Sequence, residues 1–575
     1  MNKYLSLISI SFILSGCQAL SPDSNLSVND TAAPTATQTS VAENTTAEFS
    51  PETLISLLSA EIAGQRDRFD IASENYSQQA QITGDPGVAE RAFRIAEYLG
   101  EDQRALSSAL IWANAAPDDL EAQRSAAIQL AQAKRYDEAM QRMEKVLLGN
   151  GETQFDFLAL SAAQSDSKTR NALLQSFDRL LVKHPYNQQL VFSKAILLNQ
   201  DERSEDALKL LEDQPKKHTV VATTLLRARL LSQLNRGEEA LPLLRSALKK
   251  TPDDSRLRMA YARQLIELNQ LEEARAEFIE LLQQSPDDDD LRFSLALINM
   301  DLEAWQEAQV YLEDLIERGS HSSAAQYNLG RVFEELEDTE QALSAYNTIQ
   351  SGSNYLAAQQ RIVTLLLSND RLKEVTTHFE LQRAMRADLA IQLYLIETEG
   401  LSTQGQVETA WLRINQALNH YKDDPSLLYT RAMIADKRND LTQLEEDLRL
   451  IIDKNPENAM ALNALGYTLA DRTDRLDEAR KLIEQAHLLE PNDAAITDSL
   501  GWVYYRLGDL ETAERLLREA FSAFPDAEVA AHLGEVLWQQ GKQDAAQRIW
   551  KQALKVEPSN PTLLETLQRL TNKDL

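Results

Sequence analysis

The sequence predicts an all-α solenoid of about fifteen helix pairs, and three observations predict it. One register position recurs at Ala72, Ala105, Ala139, Leu173, Ala207, Ala240, Ala274, Ala308, Ala342, Val375, Ala410, Leu444, Ala479, Ala513 and Ala546, in steps of 33 to 35 residues. A constant period of this size marks stacked supersecondary units. The composition agrees: 16 prolines, 18 glycines and 6% aromatics in 575 residues suit helices better than strands. Short polar turns, such as Asn235-Arg236-Gly237-Glu238 and Leu507-Gly508-Asp509, separate the apolar-periodic segments. A chain of this length exceeds what one compact core organises, which also favours an array.

The register has a steric cause. Two antiparallel helices approach closely only where a small residue admits the neighbouring backbone. Ala228, Ala262, Ala296, Gly330, Gly466, Gly501 and Gly534 take that place on the first helices. On the second helices, Leu244, Phe278, Leu312 and Tyr346 stand four residues after the register position and fill the adjoining groove. Each pair leaves an apolar face that the next pair covers. The larger Leu173, Val375 and Leu444 at the register position predict local bends, and the exact repeat boundaries are least defined before residue 220.

The sharpest unit reads Leu500-Gly501-Trp502-Val503-Tyr504, then Ala513, Leu517, Ala520 and Pro525. The units around it read Leu465-Gly466, Leu469, Ala479, Ile483, Ala486, Pro491, and Leu533-Gly534, Leu537, Ala546, Trp550, Ala553, Pro558. This pattern resembles the tetratricopeptide repeat. The resemblance implies a right-handed superhelix whose first helices line a concave groove. The chain departs from the family where a large aromatic opens the first helix, since Thr224, Arg258, Gln326 and Thr497 stand there. The array is expected over residues 51–558, with residues 559–575 supplying a capping helix, Pro561–Leu570.

The first fifty residues read as an address. Lys3 precedes the apolar run Tyr4–Leu14, which is shorter than the roughly 20 residues a membrane span needs and suits a signal-peptide core. Leu14-Ser15-Gly16-Cys17 then resembles a bacterial lipobox, and Cys17 is the only cysteine in the chain. The resemblance implies cleavage before Cys17 and acylation of its sulfur and amino group, a stable anchor because several acyl chains act together. Gln18 rather than Asp after the cysteine implies, by the same resemblance, export to the outer membrane. Residues 18–50 are rich in Ser, Thr, Ala, Asn and Pro, without apolar periodicity, and are expected to be a flexible tether.

Charge narrows the partners. The formal net charge is −31, and loss of residues 1–16 removes only one charge, that of Lys3. Such a field repels nucleic-acid backbones and anionic headgroups, so no nucleic-acid partner is expected.

Catalysis finds no place in the array. None of His184, His218, His321, His378, His420, His487 and His532 lie three or four residues apart, so no helical two-histidine metal site is expected. No phosphate loop or nucleophile elbow occurs, and the sole thiol belongs to the lipobox. No enzyme activity, cofactor, metal or small-molecule substrate is expected. The run Asp287–Asp290 reads as helix capping and solvated charge rather than a cation site.

Groove positions are counted from the crossing residue. In the C-terminal units they hold Asn463, Tyr467 and Asp471, then Asp498, Trp502, Tyr505 and Arg506, then Glu535, Trp538 and Gln539. Trp502, Tyr505 and Trp538 lie outside the packing positions, so they are expected to expose apolar surface to a partner; packing against the cap is the alternative. In the middle units Arg229, Arg263 and Arg331 share one groove position, with Arg256 near Arg263. Pairing with Glu along their own helices is the expectation, and a basic row for an acidic segment is the alternative. The family's chaperone-type carboxylate clamp is absent, because Leu225, Met259, Phe293 and Tyr327 occupy its places.

The layout, sharpest over LGWVYYRLGDLETA and AAHLGEVLW, resembles outer-membrane tetratricopeptide lipoproteins that partner a periplasmic carboxyl-terminal processing protease. That resemblance implies an adaptor that binds the protease and its substrates, often peptidoglycan hydrolases. An assembly factor for secretion, pilus or outer-membrane protein machinery is the alternative.

Overall fold

The computed structural model describes residues 48–214 and 220–571. Cys17, the lipobox and the tether as far as residue 47 lie outside the described residues. Among those described, the chain is all-helical, with thirty-one α-helices from α1 (Pro51–Gly64) to α31 (Pro561–Thr571) and no strand. None is long and apolar enough to cross a membrane.

The chain divides into two compact units, one ending at Gln164 and one beginning at Ser165. The first holds three helix pairs and the short α7 (Phe155–Ser161). The second holds α8 (Ser167–Lys183), eleven further pairs and α31. All fifteen register residues fall on even-numbered helices, and each is at most 2% exposed. The larger residues coincide with irregular geometry in two places. Leu173 lies on the seventeen-residue α8, which follows the seven-residue α7. Val375 lies on α20 (Leu372–Met385), after which a 3-10 turn at Ala387–Leu389 leads into the next helix.

The crossings show why small residues stand where they do. A Cβ on Gly330 or Gly466 would lie 2.5 Å from the Tyr346 ring or Ile483, and one on Gly534 would collide with the Trp550 indole. Burial of the facing large residue is complete: Tyr346, Ile483, Leu517 and Trp550 are all 0% exposed. One cluster of buried apolar side chains runs from Ala296 to Leu516, and a second from Ala513 to Leu567.

Turns within pairs repeat one device. Asn235, Asn269, Glu303, Glu337 and Asn439 have φ between 56° and 58°, and Gly508 and Gly541 take the same sign. The next residue's N–H then reaches back to close the helix, as in Arg236 to Leu231, Gln270 to Leu265 and Lys542 to Leu537, each 2.8 Å. These bonds satisfy carbonyls the helix end would orphan, which offsets the cost of a left-handed residue. Between pairs, Asp254, Asp288, Asp424, Asn458, Asp493 and Asp526 cap the following first helix through backbone N–H groups.

Candidate partner-binding site

In the second unit, four first helices stand side by side toward the C-terminus: α25 (Ala459–Arg472), α27 (Ala494–Arg506), α29 (Ala527–Gln539) and α31. Each packs against the next. Their groove-facing residues meet in a network that the sequence reading did not foresee. His532 Nδ1 donates to Asp498 at 2.9 Å, and its Nε2 lies 3.4 Å from the Tyr467 hydroxyl. Tyr467 in turn donates to Glu528 at 3.1 Å. The Trp502 indole stacks on the His532 ring, with centroids 4.2 Å apart and planes at 24°.

His532 is 3% exposed. Burial alone would lower its pKa, but the carboxylates of Asp498, Glu528 and Glu535 outweigh burial and raise it. In its protonated form the imidazole donates from both nitrogens, and the face of Trp502 then adds a cation–π contact. Burial and the carboxylates of Glu528, Asp471 and Asp498 hold the Tyr467 phenol protonated. The terminal helix is tied in the same manner. Arg569 on α31 makes two contacts with Glu535, at 2.9 and 2.5 Å, while Tyr505 donates to the same carboxylate at 2.9 Å.

Several expectations for these residues change. Trp502 is only 7% exposed, because α29 brings His532 onto its face, so it offers no free apolar surface. Asp498 and Glu535 are buried as counter-charges to His532 and Arg569. Arg506 donates to the Ala470 and Asp471 carbonyls at 2.5 and 2.9 Å, where it satisfies the C-terminal end of α25. Tyr505 and Trp538 are half-buried, the latter beside the Trp550 ring at 5.7 Å. Packing toward the cap is what most of this set does.

Asn463, Tyr467 and Asp471 remain on an open cleft of about 600 Å³ along α23 (Pro425–Lys437), α25, α27 and α29. Met460 and Phe524, at 59% and 61% exposure, supply apolar surface that the groove count missed. Phe524 lies on the connection between pairs, outside the first-helix positions counted. Asn463 Oδ1 has no hydrogen-bond partner among the described residues.

The middle units differ. Arg229 and Arg263 are exposed and form no ion pair among the described residues, and Arg331 makes a 3.5 Å contact with Asn328 and acts electrostatically on the Asp301 carboxylate. The expected intrahelical pairing with Glu is not made. Arg229 has no carboxylate three or four residues away. Glu267 accepts from Gln264, and Glu334 is held by Arg361 and Tyr346. Arg256 instead pairs with Asp254 at 2.9 Å.

The acidic run is used locally. Asp288 caps α15 (Asp289–Asp301), Asp289 binds Arg292 at 2.7 Å, and Asp290 lies 2.9 Å from His321. No group of three metal-ligating side chains exists among the described residues.

Family models name the same repeat. Family models described as tetratricopeptide repeat match residues 231–298, 293–355 and 499–554. The chain is 58% identical over 535 residues to TPR repeat-containing protein PA4667 of Pseudomonas aeruginosa, spanning 92% of this chain and 90% of that protein. It is 30% identical over 114 residues to bacteriophage adsorption protein A of Escherichia coli K12, spanning 20% of this chain and 11% of that one. Among solved structures, yeast Tom70 aligns over 90% of this chain and 99% of its own, at 14% identity and a TM-score of 0.29. The chain belongs to the tetratricopeptide-repeat family, whose repeats make it a scaffold for protein–protein interaction.

Proposed function

We propose that the protein is a lipid-anchored adaptor on the periplasmic face of the outer membrane, held there through Cys17. It binds a carboxyl-terminal processing protease and presents substrates such as peptidoglycan hydrolases to it. The observation that carries the binding half is the open cleft of about 600 Å³ on α23–α29, left unfilled where neighbouring groove positions are packed shut. The lipobox sequence supports the anchor, and the likeness to protease-partner lipoproteins supports the choice of partner. A helical array of this kind contributes surface and placement, while the chemistry belongs to the partner.

Co-purification of the tethered protein from its own envelope, read by mass spectrometry, tests this reading. A processing protease should be recovered, and deletion of the gene should raise the level of a set of cell-wall hydrolases. Recovery of a secretin or barrel-assembly component without a protease, with hydrolase levels unchanged, would replace the adaptor by an assembly factor.

A further inference from the structure

We propose that the cleft on α23–α29 receives a cationic, amphipathic segment of a partner protein, with apolar side chains seated on Met460 and Phe524 and Lys or Arg on the surrounding carboxylates. This rests on the reading that the protein binds partners through its groove, and it names the chemistry of what enters.

Two features of the cleft combine. The first is apolar surface with nothing over it: Met460 and Phe524 are both more than half exposed on the same concavity, beside the Tyr467 ring. Methionine and aromatic side chains suit a surface that adapts to varied apolar partners. The second is charge. Asp471 and Glu490 are exposed and make no side-chain ion pair among the described residues, and Glu528 accepts from the neutral Tyr467 hydroxyl and acts on His532 only through its field. The one Lys or Arg among the described residues that line the cleft, Arg472, is drawn toward α23, where it donates to Asn439 at 3.0 Å and lies 3.6 Å from Asp436.

The positive ends of helices do not reverse this sign. The N-termini of α27 and α29 open on the cleft, but each already carries a carboxylate, Asp493 accepting from the Ile496 N–H and Asp526 from the Glu528 N–H. An acidic segment would meet three carboxylates and no free cation. A cationic one brings donors to Asp471, Glu490 and Glu528 while its apolar side chains cover Met460 and Phe524. Charge then sets selectivity and arrival rate, and apolar contact sets residence.

The test uses the mature full-length chain and three labelled amphipathic peptides of one pattern, made of Lys and Leu, Glu and Leu, or Ser and Leu. Binding is read by fluorescence anisotropy. The Lys/Leu peptide should bind most tightly and weaken as salt rises. The triple variant Asp471→Asn, Glu490→Gln, Glu528→Gln should lose about tenfold in affinity. Met460→Ser should weaken binding without altering the salt dependence. A control triple on outer helices, Glu273→Gln, Glu280→Gln, Glu317→Gln, removes the same charge and should leave affinity unchanged. Equal loss in both triples, or Glu/Leu binding as tight as Lys/Leu, overturns the inference. Either failure leaves protease co-purification untouched, so it is distinguishable from failure of the adaptor reading.

Discussion

Two stretches of first helices in the second unit treat the same register position in opposite ways. In the middle units Arg229, Arg263 and Arg331 follow the crossing residue and stay in solvent outside any salt bridge among the described residues. In the C-terminal units Tyr467, Trp502 and Glu535 hold that position and are drawn into contacts across three helices. A repeat brings like positions of neighbouring helices together, so what recurs one period away decides the outcome. Arg229 and Arg263 are 34 residues apart and repel, whereas Asp498 with His532, and Glu535 with Arg569, are 34 apart and attract. One geometry thus yields open arginines, interrupted at Leu297, and a cross-linked block with a cleft at its edge.

The largest expected effect strikes that block. Asp498→Ala leaves the buried His532 without its hydrogen-bond and ion-pair partner, and removing one member of such a pair costs about 3–5 kcal/mol. Urea unfolding followed by tryptophan fluorescence should show the loss. Arg263→Ala in the middle units should change the unfolding free energy by less than about 0.5 kcal/mol. Equal costs would erase the contrast.

A smaller effect should be shared by both regions, because their crossings are alike. Gly330→Ala and Gly534→Ala each drive a methyl into a buried ring, Tyr346 or Trp550, at a cost of about 1–3 kcal/mol. Tolerance of either substitution in the same unfolding measurement would mean that its helix pair can spread.

Acidity separates the regions again. The folded state raises the pKa of His532, so its stabilising contribution is complete below the ordinary value of 6.5 and is lost as pH rises through the raised one. Amide hydrogen exchange in α27 and α29, corrected for intrinsic rates, should accelerate over that rise and no longer respond to it in His532→Gln. Exchange in α11 (Val221–Gln233) and α13 (Ser255–Glu267), which carry Arg229 and Arg263, should not follow that titration. The smallest effect belongs to the triple variant Arg229→Gln, Arg263→Gln, Arg331→Gln. Its stability should stay within about 0.5 kcal/mol of the parent, because these exposed side chains form no salt bridge among the described residues.

The sequence carried the array more fully than the site. A residue that lets two backbones cross is sterically required in every unit, so Ala240, Ala274, Ala308 and Ala342 declare the phase by themselves. Groove contacts follow no such requirement. Trp502 looked exposed because position alone was counted, and its cover, His532, comes from the next unit. The signal was nonetheless present, since Asp498 precedes His532, and Glu535 precedes Arg569, by one period of 34 residues. Opposite charges spaced by the repeat length are therefore worth reading as cross-links. The exposure of Met460 and Phe524 depends on how adjacent pairs rotate against each other, which no spacing encodes.

The central claim is that the C-terminal cleft is where partners arrive. A photo-reactive benzoylphenylalanine placed at Met460, and separately at Leu412 on the outer helix α22 (Val407–His420), tests it in growing cells. Both side chains are well exposed, at 59% and 68%. Irradiation should give discrete protein adducts from position 460 and none from position 412. Adducts of equal yield from both, or from position 412 alone, would contradict the account.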